Sequence, residues 1–141
     1  MRHSTVRPTV DCSPFSGDKL ERVEKNQTLL FQSLSQAPRH LIIPFQTHGT
    51  KILPVDEKFL GASGQQQQEM LNGIDALITT EPGCCICIST ADCIPVLLYD
   101  RVHHAVAAVH AGWRGTVEYI VGHTLEKMRA VFGTEGQDVI A

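Results

Sequence analysis

Between residues 74 and 110 the chain carries four apolar runs, 74–79, 84–89, 94–99 and 104–110. Glu81-Pro82-Gly83 and residues 100–103 read as turns between them. Each run is strand-sized, and its apolarity is nearly continuous instead of alternating. Strands of that kind are covered on both faces. The chain has 141 residues, 43% of them apolar and only 19% charged, enough for one domain with a substantial core.

The flanking segments complete the outline. Residues 18–36 are expected to form a helix: Asp18 and Glu21 have capping-box spacing, and Leu20, Val23, Leu30, Phe31 and Leu34 share a stripe. Pro38 closes it. Two β-rich runs, 40–45 and 50–55, flank Gln46-Thr47-His48-Gly49, so His48 falls in a tight connection. Residues 57–73 are polar and read as a surface loop with a short helix at 66–71. A second helix is predicted over 116–132, with Val117, Ile120, Val121, Leu125, Met128 and Phe132 inward and Gly133 as its C-cap. Residues 138–141 begin a further strand that has no partner left in the sequence. Residues 1–17 read as irregular, and residues 1–141 as a single domain.

Twelve Lys and Arg stand against 15 Asp and Glu, a net charge of −3, which lacks the basic footprint of a nucleic-acid binder. No apolar run approaches the roughly 20 residues needed to span a bilayer. Met1-Arg2-His3-Ser4 opens without the apolar core of a secretory signal. Five cysteines, an odd number, do not make a disulfide framework, and a reducing cytoplasm is the expected compartment.

Three strand ends carry a soft metal donor: His48 in "QTHG", Cys93 in "TADC" and His110 in "HAGWRG". A lone histidine at such a position is usually structural, and a buried cysteine usually behaves as a small hydrophobe. Placement raises the metal reading, because strand ends are where neighbouring strands bring side chains together. Two imidazoles and a thiolate, with a fourth position open to water, form a plausible catalytic zinc set. Asp92 precedes Cys93 and is a candidate to orient a ligand, to move a proton from zinc-activated water, or simply to cap a turn. Arg114 enters a glycine-flanked turn heading a helix, where a guanidinium and free N–H groups make an anion seat; the alternative is a surface arginine. Trp113, the only tryptophan, reads equally as a stacking wall or as core filler.

Cys84 and Cys87 have the C-x-x-C spacing of a redox or iron–sulfur site. In an extended strand, however, residues three apart point to opposite faces. Cys84, Cys85 and Cys87 are therefore expected to be reduced and buried in the sheet. His103 and His104 read as a turn and a strand residue, and His3, His40 and His123 take no role.

With these residues in view, the chain resembles the YfiH-type family, long labelled multicopper polyphenol oxidase or laccase. "GDKLERVEKN", "QTHG", "DALITTEPG", "STADCIPVLLYD" and "VHAGWRGT" are similar to its early helix and signature blocks, in the family's order, from about Gly17 to Ala141. The resemblance implies an α+β fold, with mixed sheet layers covered by helices in an α/β/β/α sandwich, and a zinc-dependent purine nucleoside phosphorylase with adenosine deaminase activity. Its substrates would be phosphate and adenosine, inosine or methylthioadenosine, with no nucleic acid and no membrane partner, in a monomer or homodimer. It implies His48, Cys93 and His110 as zinc ligands, copper being the older label. Asp92 as proton carrier and Arg114 as phosphate holder are inferences beside it. Family members extend further at both ends, so this chain resembles the family's middle. Two other readings stay open: a metal-free Cys–His hydrolase or deamidase with Cys93 as nucleophile and His110 or His48 as base, and an inactive zinc-binding fragment.

Overall fold

The computed structural model describes residues 11–141; residues 1–10 of the expected irregular stretch lie outside the described residues. The chain divides into two units, 1–37 and 38–141. In the first, α1 (Leu20–Ser33) begins later than the sequence predicts. Asp18 does not cap it: its carboxylate accepts the adjacent Lys19 N–H at 2.8 Å and pairs with Arg22 at 3.4 Å. The Asp18–Glu21 box therefore does not form. Of the predicted apolar stripe only Val23 is buried, while Leu20 and Leu34 are exposed. The Asn26 and Gln27 side-chain amides donate to the Asp11 and Cys12 carbonyls, each at 2.8 Å, and tie the helix to the segment before it.

The second unit runs β1 (His40–Ile42), β2 (Ile52–Pro54), α2 (Glu57–Leu60), α3 (Gly64–Leu71), β3 (Ala76–Thr79), β4 (Cys84–Ile86), β5 (Ile94–Asp100), β6 (Ala105–Ala111), α4 (Trp113–Val117), α5 (Ile120–Phe132), a 3-10 turn (Gly136–Asp138) and β7 (Val139–Ile140). β1 and β4 pair parallel in a two-stranded sheet. A five-stranded sheet has the order β2-β3-β6-β5-β7, parallel at β2–β3 and antiparallel elsewhere. Mixed sheets with helices are the α+β class that the resemblance implies.

The core lies on both faces of β3. Ala76 and Ile78 pack with Leu98, Ala107 and Val109 against Ile120 and Met128 of α5. Leu77, on the opposite face, packs with Ile42, Val55, Phe59 and Leu71. At about 1.5–3 kcal/mol for each large apolar side chain buried, these two clusters dominate the stability.

Several expectations need correction. β5 is covered on one face only: Leu98 is buried, whereas Ile94 and Leu97 are 64% and 66% exposed. The layer that buries Leu77 does not extend over β5 among the described residues. The last strand does have a partner, since β7 pairs with β5 through Tyr99↔Ile140 and Asp100↔Val139. Within residues 57–73 the expected short helix at 66–71 is present as α3, which starts two residues earlier, but the stretch before it is not all loop, since it holds α2. Asp56 caps α2 by accepting the Phe59 N–H, and a Ser63–Gln66 capping box starts α3. The helix predicted over 116–132 is two helices, broken at Tyr119 with φ 66°, and Val117 is exposed instead of inward. Gly133 does cap α5, with φ 78°. Cys84, Cys85 and Cys87 are half-buried, not buried, because β4 belongs to a two-stranded sheet. His104 stands in the turn before β6 with φ 53°, not in the strand.

Candidate metal centre

The site is assembled by strand register. β6 pairs with β3 through Ala76↔Val109 and with β5 through Ile94↔Ala111. One step further along the first ladder, Asp75 faces His110, whose N–H donates to the Asp75 carbonyl at 2.8 Å. One step back along β5, Cys93 arrives beside Gly112. The connection between β1 and β2 brings in His48. The donor atoms of His48, Cys93 and His110 all lie within 4.8 Å of one another, and the two imidazole centroids are 4.8 Å apart. His110 is buried, Cys93 half-buried and His48 exposed, so the trio opens to solvent on one side. Such a group could hold one metal ion.

Asp75 organises it. Its fully buried carboxylate accepts N–H groups from Thr47 (3.2 Å), His48 (2.9 Å) and Gly49 (2.8 Å), and pairs with His110 Nδ1 at 2.9 Å. Three successive N–H groups turned to one anion form a backbone nest. They hold His48 at φ 60°, a left-handed conformation costing on the order of 1–2 kcal/mol for a non-glycine residue. With Nδ1 engaged, Nε2 is the nitrogen His110 can offer to a metal, the carboxylate–histidine arrangement that orients metal ligands. The block Asp75-Ala76-Leu77 is legible in the sequence, but this role is not. Its one local signal is a carboxylate directly ahead of a wholly apolar strand, where a buried charge must be paired.

Two glycines leave the necessary room. A Cβ on Gly112 would stand 3.1 Å from His48 Cδ2 and 3.3 Å from Cys93 Sγ, so a larger residue would fill the cradle between the donors. A Cβ on Gly115 would come within 3.1 Å of the Gly49 carbonyl, which lets α4 pack tightly against the His48 turn.

Gln46 is a second residue whose role the sequence does not reveal. Its side-chain amide donates to the Ser89 carbonyl at 2.8 Å and accepts the Ser89 N–H at 2.7 Å. This substitutes for strand pairing along the irregular segment leading to Cys93. Asp92 is exposed in the bend beside Cys93. Arg114 is also exposed, within the short helix α4, its Cζ 5.7 Å from the Trp113 ring centroid. Trp113 is 74% exposed, which removes the core-filler reading. Among the described residues His48, Cys93 and His110 are the one group of three His, Cys, Asp or Glu placed to hold a metal.

A family model described as multi-copper polyphenol oxidoreductase laccase matches residues 4–141, a match that begins ahead of Gly17. A purine nucleoside phosphorylase of Bacteroides thetaiotaomicron is 60% identical over 131 residues, covering 93% of this chain and 48% of that protein. Adenosine deaminase RL5, from an unknown prokaryotic organism, is 37% identical over 119 residues, 84% of this chain and 45% of that protein. The crystal structure of Bacillus licheniformis hypothetical protein YfiH has a TM-score of 0.80 and 26% identity, covering 93% of this chain and 49% of that one. The chain therefore spans about half the length of the relatives it matches. It belongs to the multi-copper polyphenol oxidoreductase laccase family.

Proposed function

We propose that this chain carries the metal site of a purine nucleoside phosphorylase with adenosine deaminase activity, and that His48, Cys93 and His110 hold one zinc ion. The observation that supports this best is the convergence of three soft donors around the empty side of Gly112, with Asp75 fixing the His110 tautomer. Two imidazoles and one thiolate suit zinc with an open fourth position. The family description names copper, for which the same donors are acceptable, so the metal itself is part of the proposal. Bound there, zinc would supply Lewis-acid polarisation and a lowered water pKa.

The chain's own residues would do the rest. Asp92, exposed beside Cys93, carries a proton to or from the purine during deamination of adenosine. Arg114 holds phosphate against the ribose during phosphorolysis, and Trp113 offers a flat apolar face to the base. The relatives named purine nucleoside phosphorylase and adenosine deaminase support both activities, with phosphate and nucleosides such as adenosine and inosine as small-molecule substrates. Among the described residues no helix is long and apolar enough to cross a membrane. We place the protein in the cytoplasm, as a monomer or homodimer.

The Asp75–His110 pair beside Cys93 also has the orienter–base–nucleophile layout of a cysteine hydrolase. One experiment separates the readings: elemental analysis of protein purified without chelator, paired with nucleoside turnover with and without phosphate. One zinc per chain, base release that requires phosphate, and inosine formed from adenosine are expected. Bound copper would overturn the zinc assignment. Zinc without turnover would favour a binding fragment, and metal-free amide cleavage blocked by alkylating Cys93 would favour the hydrolase.

A further inference from the structure

Cys85 and Cys87 lie outside the metal centre, with their sulfurs 3.6 Å apart. Residues two apart in an extended segment share a face, and two rises of about 3.3 Å separate their Cα atoms by roughly 6.6 Å. That falls within the Cα separation of about 4.4–6.8 Å that a disulfide spans. Cys84 packs with Ile86 against the Leu77 cluster and borders the same cavity as Cys85. Burial, reinforced by Glu81 and only partly offset by Arg39, raises the pKa of the Cys84 thiol. Cys87 lies one residue beyond β4, and its backbone N–H still donates to the Ile42 carbonyl at 2.9 Å, so both thiols are carried on backbone held against β1. Cys85 also lines a cavity of about 410 Å³, walled by Leu97, Tyr99, Val106 and Ile140 and opening to solvent past the exposed Leu97 and Ile140. A small reagent can therefore reach Cys85, with a second thiol waiting in contact.

We propose that Cys85 and Cys87 form a redox-active dithiol that exchanges with a small oxidised thiol of the glutathione class. The Cys85 thiolate attacks one sulfur of the glutathione disulfide, forming a mixed disulfide and releasing one glutathione thiolate. The Cys87 thiolate then attacks the Cys85 sulfur, closing the Cys85–Cys87 bond and releasing the second glutathione. The protein loses two electrons and two protons, and one glutathione disulfide becomes two thiols. In a reducing compartment such a bond is transient and responds to the thiol pool.

The bond would act near the metal centre. Ser89, two residues after Cys87, is clamped at both its N–H and its carbonyl by Gln46, two residues before His48. Drawing the two sulfurs from 3.6 Å to the about 2.05 Å of a bond therefore shifts the segment that feeds the strut between the Cys93 and His48 loops.

The test treats the folded protein with excess glutathione disulfide, alkylates the remaining thiols and maps them by peptide mass spectrometry. Cys85 and Cys87 should become protected together as one bridged peptide, reversed by a reductant, while Cys84 stays alkylatable. In Cys87→Ser the reaction should stop at a glutathione adduct on Cys85. That adduct should form about tenfold faster than any adduct on Cys87 in Cys85→Ser, because access governs the attack. Continued alkylation of both thiols in the folded wild type, or a bridge to Cys84 or between chains, would overturn the proposal.

Discussion

Asp75 and Asp100 are the same device placed at opposite ends of β6, and only one of them builds a site. Both are fully buried. Asp75 accepts three backbone N–H groups and pairs with His110 Nδ1 at 2.9 Å. Asp100 accepts the Val102 and His103 N–H groups at 2.8 and 3.0 Å and pairs with His103 Nδ1 at 2.8 Å. The difference lies in what surrounds the imidazole. His103 follows its aspartate by three residues, sits exposed in the same turn, and belongs to no donor group among the described residues. His110 is 35 residues from its aspartate, is buried, and offers its remaining nitrogen beside Cys93 and His48. A carboxylate–imidazole pair is a structural fastener by default. It becomes a candidate site when the fold delivers further donors to the free nitrogen.

The largest expected effect breaks the comparison at its functional end. Cys93→Ala should abolish both metal retention and nucleoside turnover, read by elemental analysis and a coupled assay, because two imidazoles remain to hold the ion. Asp92→Asn should keep the metal yet slow adenosine deamination about 10²–10⁴-fold, the usual loss for an acid–base group. Undiminished deamination would remove Asp92 from the mechanism. Asp75→Asn should weaken metal affinity about 10–100-fold in a chelator competition, the usual cost of losing a carboxylate behind a ligand histidine. Asp100→Asn should leave metal affinity unchanged, and a comparable drop in both variants would erase the functional distinction between the two aspartates.

The smallest effect is a pH dependence. Burial opposes the Asp100 charge, but the Thr134 side chain, the His103 N–H and ring, and the Val102 N–H outweigh it and hold the carboxyl below the usual carboxylate range. A folded-state value below the unfolded one, about 3.9, means the stability from Asp100 is fully present above that pH. It is lost as the pH falls from there through the folded value. Urea midpoints of wild type and Asp100→Asn should differ at pH 7 and converge as the pH drops below about 4. A constant gap would show that the carboxyl is not ionised through those contacts.

The parts of this protein legible in the chain are those that local rules decide. Strand-sized apolar runs mark β3, β5 and β6, Gly133 marks a helix end, and "QTHG", "TADC" and "HAGWRG" single out the three donors, Cys93 and His110 at strand ends but His48 in the long connection between β1 and β2. Each signal lies within a few residues of what it specifies. Tertiary structure decided the rest. The pairing Ala76↔Val109 gave Asp75 its histidine, and Gln46 found Ser89 43 residues away. The face of β5 left open, the partner of β7 and the break at Tyr119 also depended on which layers and strands met. The physical reason is that an apolar residue specifies that it will be buried, but not against what. Register and layer coverage are set by contacts between segments distant in sequence, and no local pattern encodes them.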